Sequence, residues 1–531
     1  MKHPLESLKA RLATGSMSRR QFMRSVVATG ISAAAASSVA DQVMAAAPKR
    51  GGTIRIGKGH GQTTDTMNPG TAENGYMVNL LQSFHGYMTE VAPDGSLVPG
   101  VAESWEAADG GKTWVFDLRK DFTFHNGKTV SPEDVIASIN HHRGEDSTSA
   151  AKPLLSSLAD VRADGPGRVV FELTSGNADF PFTLSDYHIP VGMSEDGKVD
   201  WKTGVGCGAY KLDNFEPGIR ADLSRNDDHW DLENRAFFDS AELLAIIDAN
   251  ARQSGLLTGD LDAIDKLDLK TIERIKKAPG IKVHSVPGTQ HFTFEMMCTS
   301  DPYTDRNLRL ALKYAINRQE LVDKILFGYG VVGNDHPIGQ GQRFFNKDLP
   351  QREYDPDKAR FHLKEAGLDK VKIELSAADA AFAGAVDAAV LYQNSAAKAG
   401  IEIVPVREPN DGYWTDVWNV KPFTAVYWGG RPVEDLMFST AYESGVPWNG
   451  TRWSNARFDE LLVTARAELD EEKRRQMYYE MQELVNMDGG LIAPMFASYV
   501  FGTRDNVGLP EGFASNWDMD GERCIERWWF T

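Results

Sequence analysis

The fold of this chain is decided by the stretch LVPGVAESWEAADGGKTWVFDLRKDFTFHNGK, residues 97–128. Within it, residues 112–119 alternate apolar and polar side chains, as a strand with one buried face does. Residues 122–125 are expected to be the partner or the continuation of that strand. Residues 53–57 alternate in the same way and predict an opening strand, which the turn residues of 65–70 end. These segments indicate a mixed sheet.

Three later segments predict helices. At residues 131–139, Ser131 is a good N-cap, Pro132 suits the first helical position, and acidic residues follow in the first turn. The segments 305–316 and 457–483 carry apolar side chains at helical spacing. Those side chains are Leu308, Leu312 and Ala315 in the first segment, and Leu461, Leu462, Ala465 and Leu469 in the second. Because strands and helices alternate without a fixed repeat, we expect an α/β fold rather than a solenoid.

The composition describes a folded protein with more than one lobe. The chain has 531 residues, of which 42% are apolar and 25% charged, and single cores stop growing at roughly 250 to 300 residues. Its formal net charge of -18 argues against a nucleic-acid partner, because phosphate-binding domains collect Lys and Arg on one face. Only Cys207, Cys298 and Cys524 occur, so at most one disulfide can form, and no zinc knuckle or thioredoxin-like motif is present.

Residues 1–47 have the features of an export signal. Six cations stand against two acidic residues before an alanine-rich run that is too weakly apolar to span a membrane. Residues 18–23, Ser-Arg-Arg-Gln-Phe-Met, precede that run and resemble the twin-arginine signal for export of folded proteins. Small residues at 43–47 provide a cleavage site. We therefore expect the mature protein to be exported by the twin-arginine pathway and to work in the periplasm.

Motifs of known catalytic and cofactor sites are missing from the sequence. It contains no Gly-x-Ser-x-Gly, no His-Glu-x-x-His, no phosphate-binding Gly-x-x-x-x-Gly-Lys and no dinucleotide fingerprint. The glycine-rich segment 57–61 lacks the spacing of a nucleotide loop, and 518–521 is interpreted as a surface turn rather than a calcium loop. The twelve histidines do not cluster. No metal ion or cofactor is expected, and the sequence shows no set of residues that would support an enzyme.

The stretch 97–128 resembles the signature block of the dipeptide/oligopeptide-binding proteins of ABC importers, which are family 5 extracellular solute-binding proteins. The likeness continues through 206–212, 225–230, 305–318 and 355–360, so it extends over essentially the whole mature chain. It implies a two-lobed periplasmic-binding-protein fold with mixed sheets, a hinge crossed twice, and an extra subdomain on the first lobe.

Placed on this chain, the resemblance assigns the domains as follows. The first lobe takes residues 48–287 and 501–531, with the extra subdomain at about 86–205, and the second lobe takes 288–500. The two hinge crossings fall at 286–289 and 499–502, where turn and extended residues suit that role.

The family resemblance also implies the function. The chain would be a monomeric receptor, not an enzyme, that delivers a small molecule to an ABC permease in the inner membrane. That ligand would be peptide-like or another polar and even anionic compound. Alternatives within the fold are receptors for opines, sugar conjugates or metal chelates, since the fold does not fix the ligand. A periplasmic hydrolase or a folding helper is the alternative from another class, and a hydrolase would need a nucleophile and base that are not visible.

The resemblance names a first group of ligand-binding residues. The family has a Trp-x-x-Asp stretch whose acid meets a peptide's terminal amine, and the matching residues here are Trp428, Gly429, Gly430 and Arg431. A guanidinium cannot pair with an ammonium group but binds carboxylate or phosphate. We therefore expect Arg431 to hold an anionic group while Trp428 and Tyr427 cover an apolar part. Alternatively, Arg431 forms a structural bridge to Glu434 or Asp435, and Trp428 is a core residue.

Further candidates follow from the same resemblance. A second family tryptophan is replaced near Asn410, and Tyr413 and Trp414 follow closely enough to substitute for it. On the first lobe, Asn68 and Tyr76 lie where the family lines its cleft, and His291 stands just after the hinge crossing. For each of these three, a role in a loop or in the core is an equal alternative.

Overall fold

The computed structural model describes residues 8, 17–28, 48–72, 74–409, 413–431 and 433–531. Most of the predicted signal peptide, with its cleavage site, therefore lies outside the described residues, as does Asn410. The described part of the signal contains a helix, α1 (Arg19–Ala28), which spans both arginines of the motif. Ser18 precedes this helix, and its backbone N–H donates to the side chain of Gln21 at 2.9 Å.

One large mixed sheet organises the molecule, and in the described chain it contains eleven strands. In their order across the sheet, ten of these strands are β10 (Tyr210–Glu216), β11 (Arg220–Arg225), β12 (Ser240–Ala245), β1 (Thr53–Lys58), β13 (Ala263–Ile264), β19 (Leu491–Arg504), β14 (Ile281–Met296), β18 (Phe423–Trp428), β16 (Val371–Ala377) and β17 (Ile401–Arg407). The eleventh, β15 (Gly330–Val332), pairs with β19. The predicted opening strand is confirmed as β1.

Two long antiparallel strands, β14 and β19, belong to both halves of this sheet. Their pairing runs from Ile281 opposite Arg504 to Glu295 opposite Leu491, with a register shift between Pro287 and His291. On one side of the pair, β1 runs parallel to β12 and β13. On the other side, β16 runs parallel to β17 and β18. Each half is therefore a small α/β sheet, and backbone hydrogen bonds join the two halves.

The carboxyl ends of the parallel strands in both halves point at the register shift. After β13, the N–H of Leu267 donates to the carbonyl of Val500 in β19 at 3.0 Å. From the other half, β18 ends at Trp428, which lies opposite His291 in β14. Open α/β sheets bind ligands outside the carboxyl ends of their strands. The topology thus brings two such edges together at the middle of β14 and β19.

A smaller antiparallel sheet forms a separate layer with its own core. Buried apolar side chains from Met88 to Cys207 form this core, which Phe116 and Phe171 contribute to from neighbouring strands. The sheet has the order β4 (Ala102–Ala108), β5 (Thr113–Leu118), β7 (Arg168–Leu173), β6 (Leu158–Ala163). Short pairs complete the strands: β2 (Thr89–Val91) with β3 (Leu97–Pro99), β8 (Ser194–Glu195) with β9 (Lys198–Val199), and β20 (Val507–Gly508) with β21 (Trp529–Phe530).

Helices cover the sheets. They are α2 (Gly75–Phe84), α3 (Pro132–His141), α4 (Phe180–Thr183), α5 (Ala249–Thr258), α6 (Ile272–Lys276), α7 (Arg306–Tyr314), α8 (Arg318–Ile325), α9 (Pro356–Glu365), α10 (Ala385–Ala397), α11 (Glu434–Ala441), α12 (Ala456–Ala467), α13 (Glu471–Asp488), α14 (Asp518–Gly521) and α15 (Cys524–Arg527). None of the helices in the described ranges combines the length and the hydrophobicity needed to cross a membrane.

The helix predictions are confirmed. The segment 131–139 lies in α3, where the N–H of Ser131 donates to the carboxylate of Asp134 at 3.0 Å. The segment 305–316 contains α7, capped by Asp305, whose carboxylate accepts from the N–H groups of the first turn. The segment 457–483 becomes two helices, α12 and α13. Local capping and helical spacing were sufficient signals in each case.

Two details of the sequence interpretation were wrong. Residues 122–125 do not form a strand, because the chain turns back at Gly127 and only Thr123 bridges to Thr129. The alternation of apolar and polar residues in this segment does reflect burial, since Phe122 and Phe124 are buried. The strand that it was expected to extend or pair with, β5, pairs with β4 and β7. Leu469 lies between α12 and α13 and is 46% exposed, so it is not part of the helical apolar face.

A buried ion pair connects the small antiparallel layer to the second half of the large sheet. Arg474 in α13 donates to both carboxylate oxygens of Asp179, at 2.9 and 2.5 Å, and both side chains are at least 95% buried. Arg343 lies 3.8 Å from the same carboxylate. Removing one partner of such a pair leaves an uncompensated buried charge.

We expect Arg474→Leu to lower the free energy of unfolding by roughly 3 to 5 kcal/mol, because Asp179 would stay buried without its main cation. Arg475→Leu is the matched control, since Arg475 makes an exposed bridge to Glu471, and such bridges contribute under about 1 kcal/mol. Urea unfolding monitored by circular dichroism measures both. Equal losses of unfolding free energy in the two variants would show that the buried pair stabilises the fold no more than the bridge at Arg475 does.

Candidate functional site

The candidate site begins where β18 ends at the register shift. Gly430 lies so close to Thr289 of β14 that an added Cβ would fall 1.8 Å from the Thr289 hydroxyl oxygen. The absence of a side chain at Gly430 therefore leaves the room that the Thr289 side chain occupies. The close approach places the next residue, Arg431, against the middle of the two long strands.

Arg431 carries a cation without an acidic partner. Its Nη1 donates to the carbonyls of Gly429 and Gly430, both at 3.3 Å, and no carboxylate oxygen of the described residues lies within 4 Å of its guanidinium. Desolvation lowers the pKa of Arg431, which reflects the cost of holding this charge away from water. The arrangement favours an anion beside the guanidinium.

The alternative bridge from Arg431 to Glu434 or Asp435 is not formed. Glu434 accepts from the N–H of Phe344 at 2.7 Å. Asp435 pairs with Arg466 in α12 at 3.0 Å. Both acids are buried, and each has its hydrogen-bond or ion-pair partner within the second half of the molecule.

Trp428 is mainly a packing residue. It is 5% exposed and belongs to the core beneath α11 to α13. Its indole N–H donates to Glu295 at 2.8 Å, while Trp418 donates to the other oxygen of that carboxylate at 3.2 Å. Burial raises the pKa of Glu295 to about 7 although both indoles oppose the shift. The core alternative considered for Trp428 thus describes its contacts.

Three other aromatic side chains are exposed around the end of β18. Tyr427 is 42% exposed, Trp414 is 39% exposed, and their ring centroids are 5.5 Å apart. Trp448 is 51% exposed and lies 6.2 Å from Trp428. Sequence reasoning missed Trp448. Its position in the Gly- and Pro-containing segment 445–450 was the available signal, since a large aromatic residue in such a loop has little local core to enter.

Tyr413 does not line the site. It is buried, and its hydroxyl donates to the carbonyl of Ala425 at 2.8 Å, so it joins the π-helical turn Tyr413–Val417 to β18. Its effect is indirect, because it positions Trp414 in the same turn. Asn410 lies outside the described residues and stays a prediction.

The first-lobe candidates have structural contacts. Asn68 accepts from the N–H of Gly70 at 3.0 Å and contacts His141 at 2.8 Å, so it caps the short 3-10 helix Pro69–Thr71. Tyr76 is buried in the core under α2, and burial raises its pKa. These contacts match the loop and core alternatives.

His291 is also buried beside the register shift. Its Nδ1 lies 3.2 Å from the carbonyl of Thr289, and its ring centroid lies 5.0 Å from that of Phe496. Burial lowers the pKa of His291 to about 4, so the imidazole is neutral at neutral pH. A neutral, packed imidazole stabilises the crossing strands and brings no charge to the cleft.

A buried charge cluster at the carboxyl end of β1 was missed by the sequence analysis. The Lys58 amine lies 2.7 Å from Glu522 and 3.3 Å from Asp265, and all three side chains are buried. Burial acts to lower the pKa of Lys58, but attraction from Glu522 and Asp265 outweighs it and raises the pKa. The segment 518–521 was predicted to be a surface turn. It is instead buried, because Lys58 and Arg527 neutralise acids in and beside it.

Open space leads from the surface to Arg431. A groove of about 760 Å³ separates the residues around the β2–β3 turn from the second half of the molecule. A smaller cavity of about 40 Å³ contains Arg431, Thr289 and Asn516 in its lining. The two spaces share lining residues, which are Gly95, Phe182, Gly341, Gln342, Arg343 and Ser515. Arg431 therefore lies at a junction between the halves.

Comparisons with known proteins agree with this geometry. The model of the family described as bacterial extracellular solute-binding proteins, family 5 Middle, matches residues 96–450. The dipeptide-binding protein of Escherichia coli (strain K12) is 25% identical over 447 residues, which cover 77% of this chain and 82% of that protein.

Solved structures share the fold. HbpA2 from Haemophilus parasuis superimposes with a TM-score of 0.79 at 20% identity, covering 88% of this chain and 99% of that structure. The binding protein AgaA from A. tumefaciens R10, in complex with agropinic acid, gives a TM-score of 0.69 at 20% identity and covers 90% and 99%. The two-lobed α/β fold expected from the sequence is thereby confirmed.

The family match covers most of the chain, and the carboxyl ends of the parallel strands in both halves meet at the middle of the large sheet. The chain belongs to family 5 of the bacterial extracellular solute-binding proteins.

Proposed function

We propose that this solute-binding protein encloses a polar solute with at least one anionic group and delivers it to an ABC permease in the inner membrane. The observation that carries the proposal is the unpaired guanidinium of Arg431 at the junction between the halves. A carboxylate or phosphate would supply the missing counter-charge and accept two parallel hydrogen bonds. The terminal ammonium group of an ordinary peptide would meet a like charge there.

Aromatic side chains would cover the apolar part of the solute. Tyr427, Trp414 and Trp448 keep large exposed fractions around the end of β18, the strand that precedes Arg431, and aromatic rings contribute large contact areas at low entropic cost. Trp428 would contribute indirectly, because it is buried, donates to Glu295 and packs against Trp448. Among relatives, the complex of AgaA with agropinic acid supports an acid as ligand.

The hinge belongs to the same proposal. The first lobe would be 48–287 with 501–531, including the subdomain at about 86–205, and the second lobe 288–500. The register shift between Pro287 and His291 supports a hinge there, because fewer ladder hydrogen bonds hold the backbone. The solute would favour the closed form in proportion to its extra contacts in that form.

The cellular setting is proposed as well. The protein would act as a monomer without catalytic activity, as the description of its family as solute-binding proteins supports. It would reach the periplasm through the twin-arginine pathway, and the Ser-Arg-Arg-Gln-Phe-Met segment supports that route.

The test of the anion site is Arg431→Ala. A thermal-shift screen of peptides, amino-acid conjugates, opines and acidic sugars first identifies a ligand, because a ligand that binds only the native state raises the melting temperature. Calorimetric titration should then show a loss of roughly 2 to 5 kcal/mol in the variant, the cost of removing one partner of a desolvated charge pair.

Arg457→Ala is the control, since Arg457 makes exposed bridges on α12 and α13. Its ligand affinity should equal that of the unaltered protein. Unchanged affinity in Arg431→Ala would refute the anion site and leave the family assignment intact.

The export route is tested by replacing both Arg19 and Arg20 with Lys. Lysine keeps the charge but lacks the planar guanidinium, so we expect the precursor to accumulate in the cytoplasm. Arg24→Lys alters a nearby arginine outside the pair and should leave export unchanged. Cell fractionation and immunoblotting measure both. Normal export of the double variant would exclude the twin-arginine route.

A further inference from the structure

A second cation without a carboxylate in hydrogen-bond distance lies at the carboxyl edge of the parallel strands in the first half of the molecule. Lys266 directly follows Asp265 after β13, at the carboxyl edge where β1, β12 and β13 end. Its backbone has φ of 45°, a left-handed conformation that is uncommon for a residue with a side chain. Its carbonyl accepts from Arg252 at 3.1 Å, which helps hold this conformation. Strained backbone of this kind concentrates at functional sites.

The amine of Lys266 is exposed and has hydrogen-bond donors to spare. It lies 2.6 Å from Nε2 of His60, and no carboxylate oxygen of the described residues lies within 4 Å of it. Desolvation and the neighbouring Lys266 lower the pKa of His60 to about 4, so His60 is neutral and accepts one hydrogen bond. One neutral acceptor does not compensate the ammonium charge.

The acids nearest to Lys266 are engaged elsewhere. Asp265 accepts from the N–H of Gly59 at 2.6 Å and pairs with Lys58, and Glu522 pairs with Lys58 as well. Desolvation lowers the pKa of Lys266 despite the attraction of these acids. The ammonium group therefore resembles the Arg431 guanidinium in having no carboxylate within hydrogen-bond distance, although Asp518 also attracts its charge.

Lys266 and Arg431 each lie at the carboxyl edge of the parallel strands of their own half, and both edges attach to β14. Beside Lys266, the N–H of Leu267 bonds Val500, which lies opposite Ser285 of β14. Beside Arg431, Gly430 contacts Thr289 of the same strand. The two attachment points are thus four residues apart on β14, or roughly 13 Å at about 3.3 Å per residue.

The segment that follows Phe513 links the surroundings of both cations. Ser515 and Asn516 line the small cavity that contains Arg431. Trp517 contacts the ring of Tyr187 at 5.4 Å, and Tyr187 acts on the charge of Arg431. Asp518 acts on the charge of Lys266. The segment 513–518 therefore runs from the cavity beside Arg431 towards the surroundings of Lys266.

We infer that Lys266 is a second anion-binding residue and that the solute is an elongated diacid, with one acidic group for each lobe. This inference rests on the proposed anion site at Arg431. A single phosphate or carboxylate is short compared with the roughly 13 Å that separates the two attachment points on β14, so two groups joined by a spacer suit the two cations better. The chemical class includes N-carboxyalkyl amino acids, γ-glutamyl dipeptides and dicarboxylic acids.

This charge arrangement also explains how binding would drive closure. A ligand shifts a conformational equilibrium only through a difference in affinity between the two forms. A diacid completes both ion pairs only when the lobes approach, whereas a monoacid satisfies one lobe in either form. The second acidic group thus converts binding into closure.

The experiment compares diacids with their mono-amides on paired lysine variants. The probes are N-(1-carboxyethyl) amino acids, γ-glutamyl dipeptides and the linear dicarboxylates from succinate to suberate, each with its mono-amide. Lys266→Met removes the proposed contact. Lys270→Met is the matched control, since Lys270 is an exposed lysine four residues along the same segment. A thermal shift selects the probe, and calorimetric titration measures its affinity.

We expect Lys266→Met to weaken the best diacid at least about tenfold, down to the affinity of unaltered protein for the mono-amide, with Lys270→Met within about twofold. Lys266→Gln repeats the test if the Met variant does not fold. Unchanged diacid affinity in Lys266→Met with a loss in Arg431→Ala would overturn the second site and keep the first. A panel in which no diacid binds would overturn the second site alone, and unchanged affinity in both variants would refute both sites.

Discussion

The antiparallel ladder between β14 and β19 is the interaction on which the rest of the structure depends. It is the only backbone pairing in the described chain that reaches from Arg504 in one half to Leu491 in the other. Both sets of parallel strands are laid against it, and their carboxyl ends meet at its register shift. Because backbone hydrogen bonds fix direction and spacing, the ladder decides which loops face each other across the cleft. The site follows from that placement.

Charge compensation distinguishes the structural cations of this fold from the two cations that we propose as solute-binding residues. Lys58, Arg466 and Arg474 each have a carboxylate partner within hydrogen-bond distance. Arg431 and Lys266 have none among the described residues. A compensated buried pair holds the fold in one arrangement, whereas an uncompensated cation costs free energy until a ligand offsets it. The contrast lies in the surroundings and not in the residue type.

The aromatic residues around Glu295 also fall into a buried group and an exposed group. The indole N–H groups of Trp428 and Trp418 both donate to this buried carboxyl group, which therefore has hydrogen-bond partners inside the protein. Trp448 and Trp414 pack on that pair with much of their surface left exposed. Buried aromatic residues thus make a rigid base for the exposed ones. A rigid base reduces the entropy that a solute must overcome on binding.

The sequence by itself determined the local elements and the class of fold. Capping at Ser131 and Asp305, the alternation of residues 53–57, and the order of family segments depend on neighbours along the chain, and these predictions hold in the structure. The arginine at position 431 was likewise visible as a departure from the family pattern. Only the tertiary structure decided that Trp428 is buried while Trp448 is exposed, that Glu434 and Asp435 are occupied, and that Lys266 is not. These outcomes depend on contacts between residues far apart in the chain, such as Lys58 with Glu522, and no local pattern encodes whether a charge meets its partner.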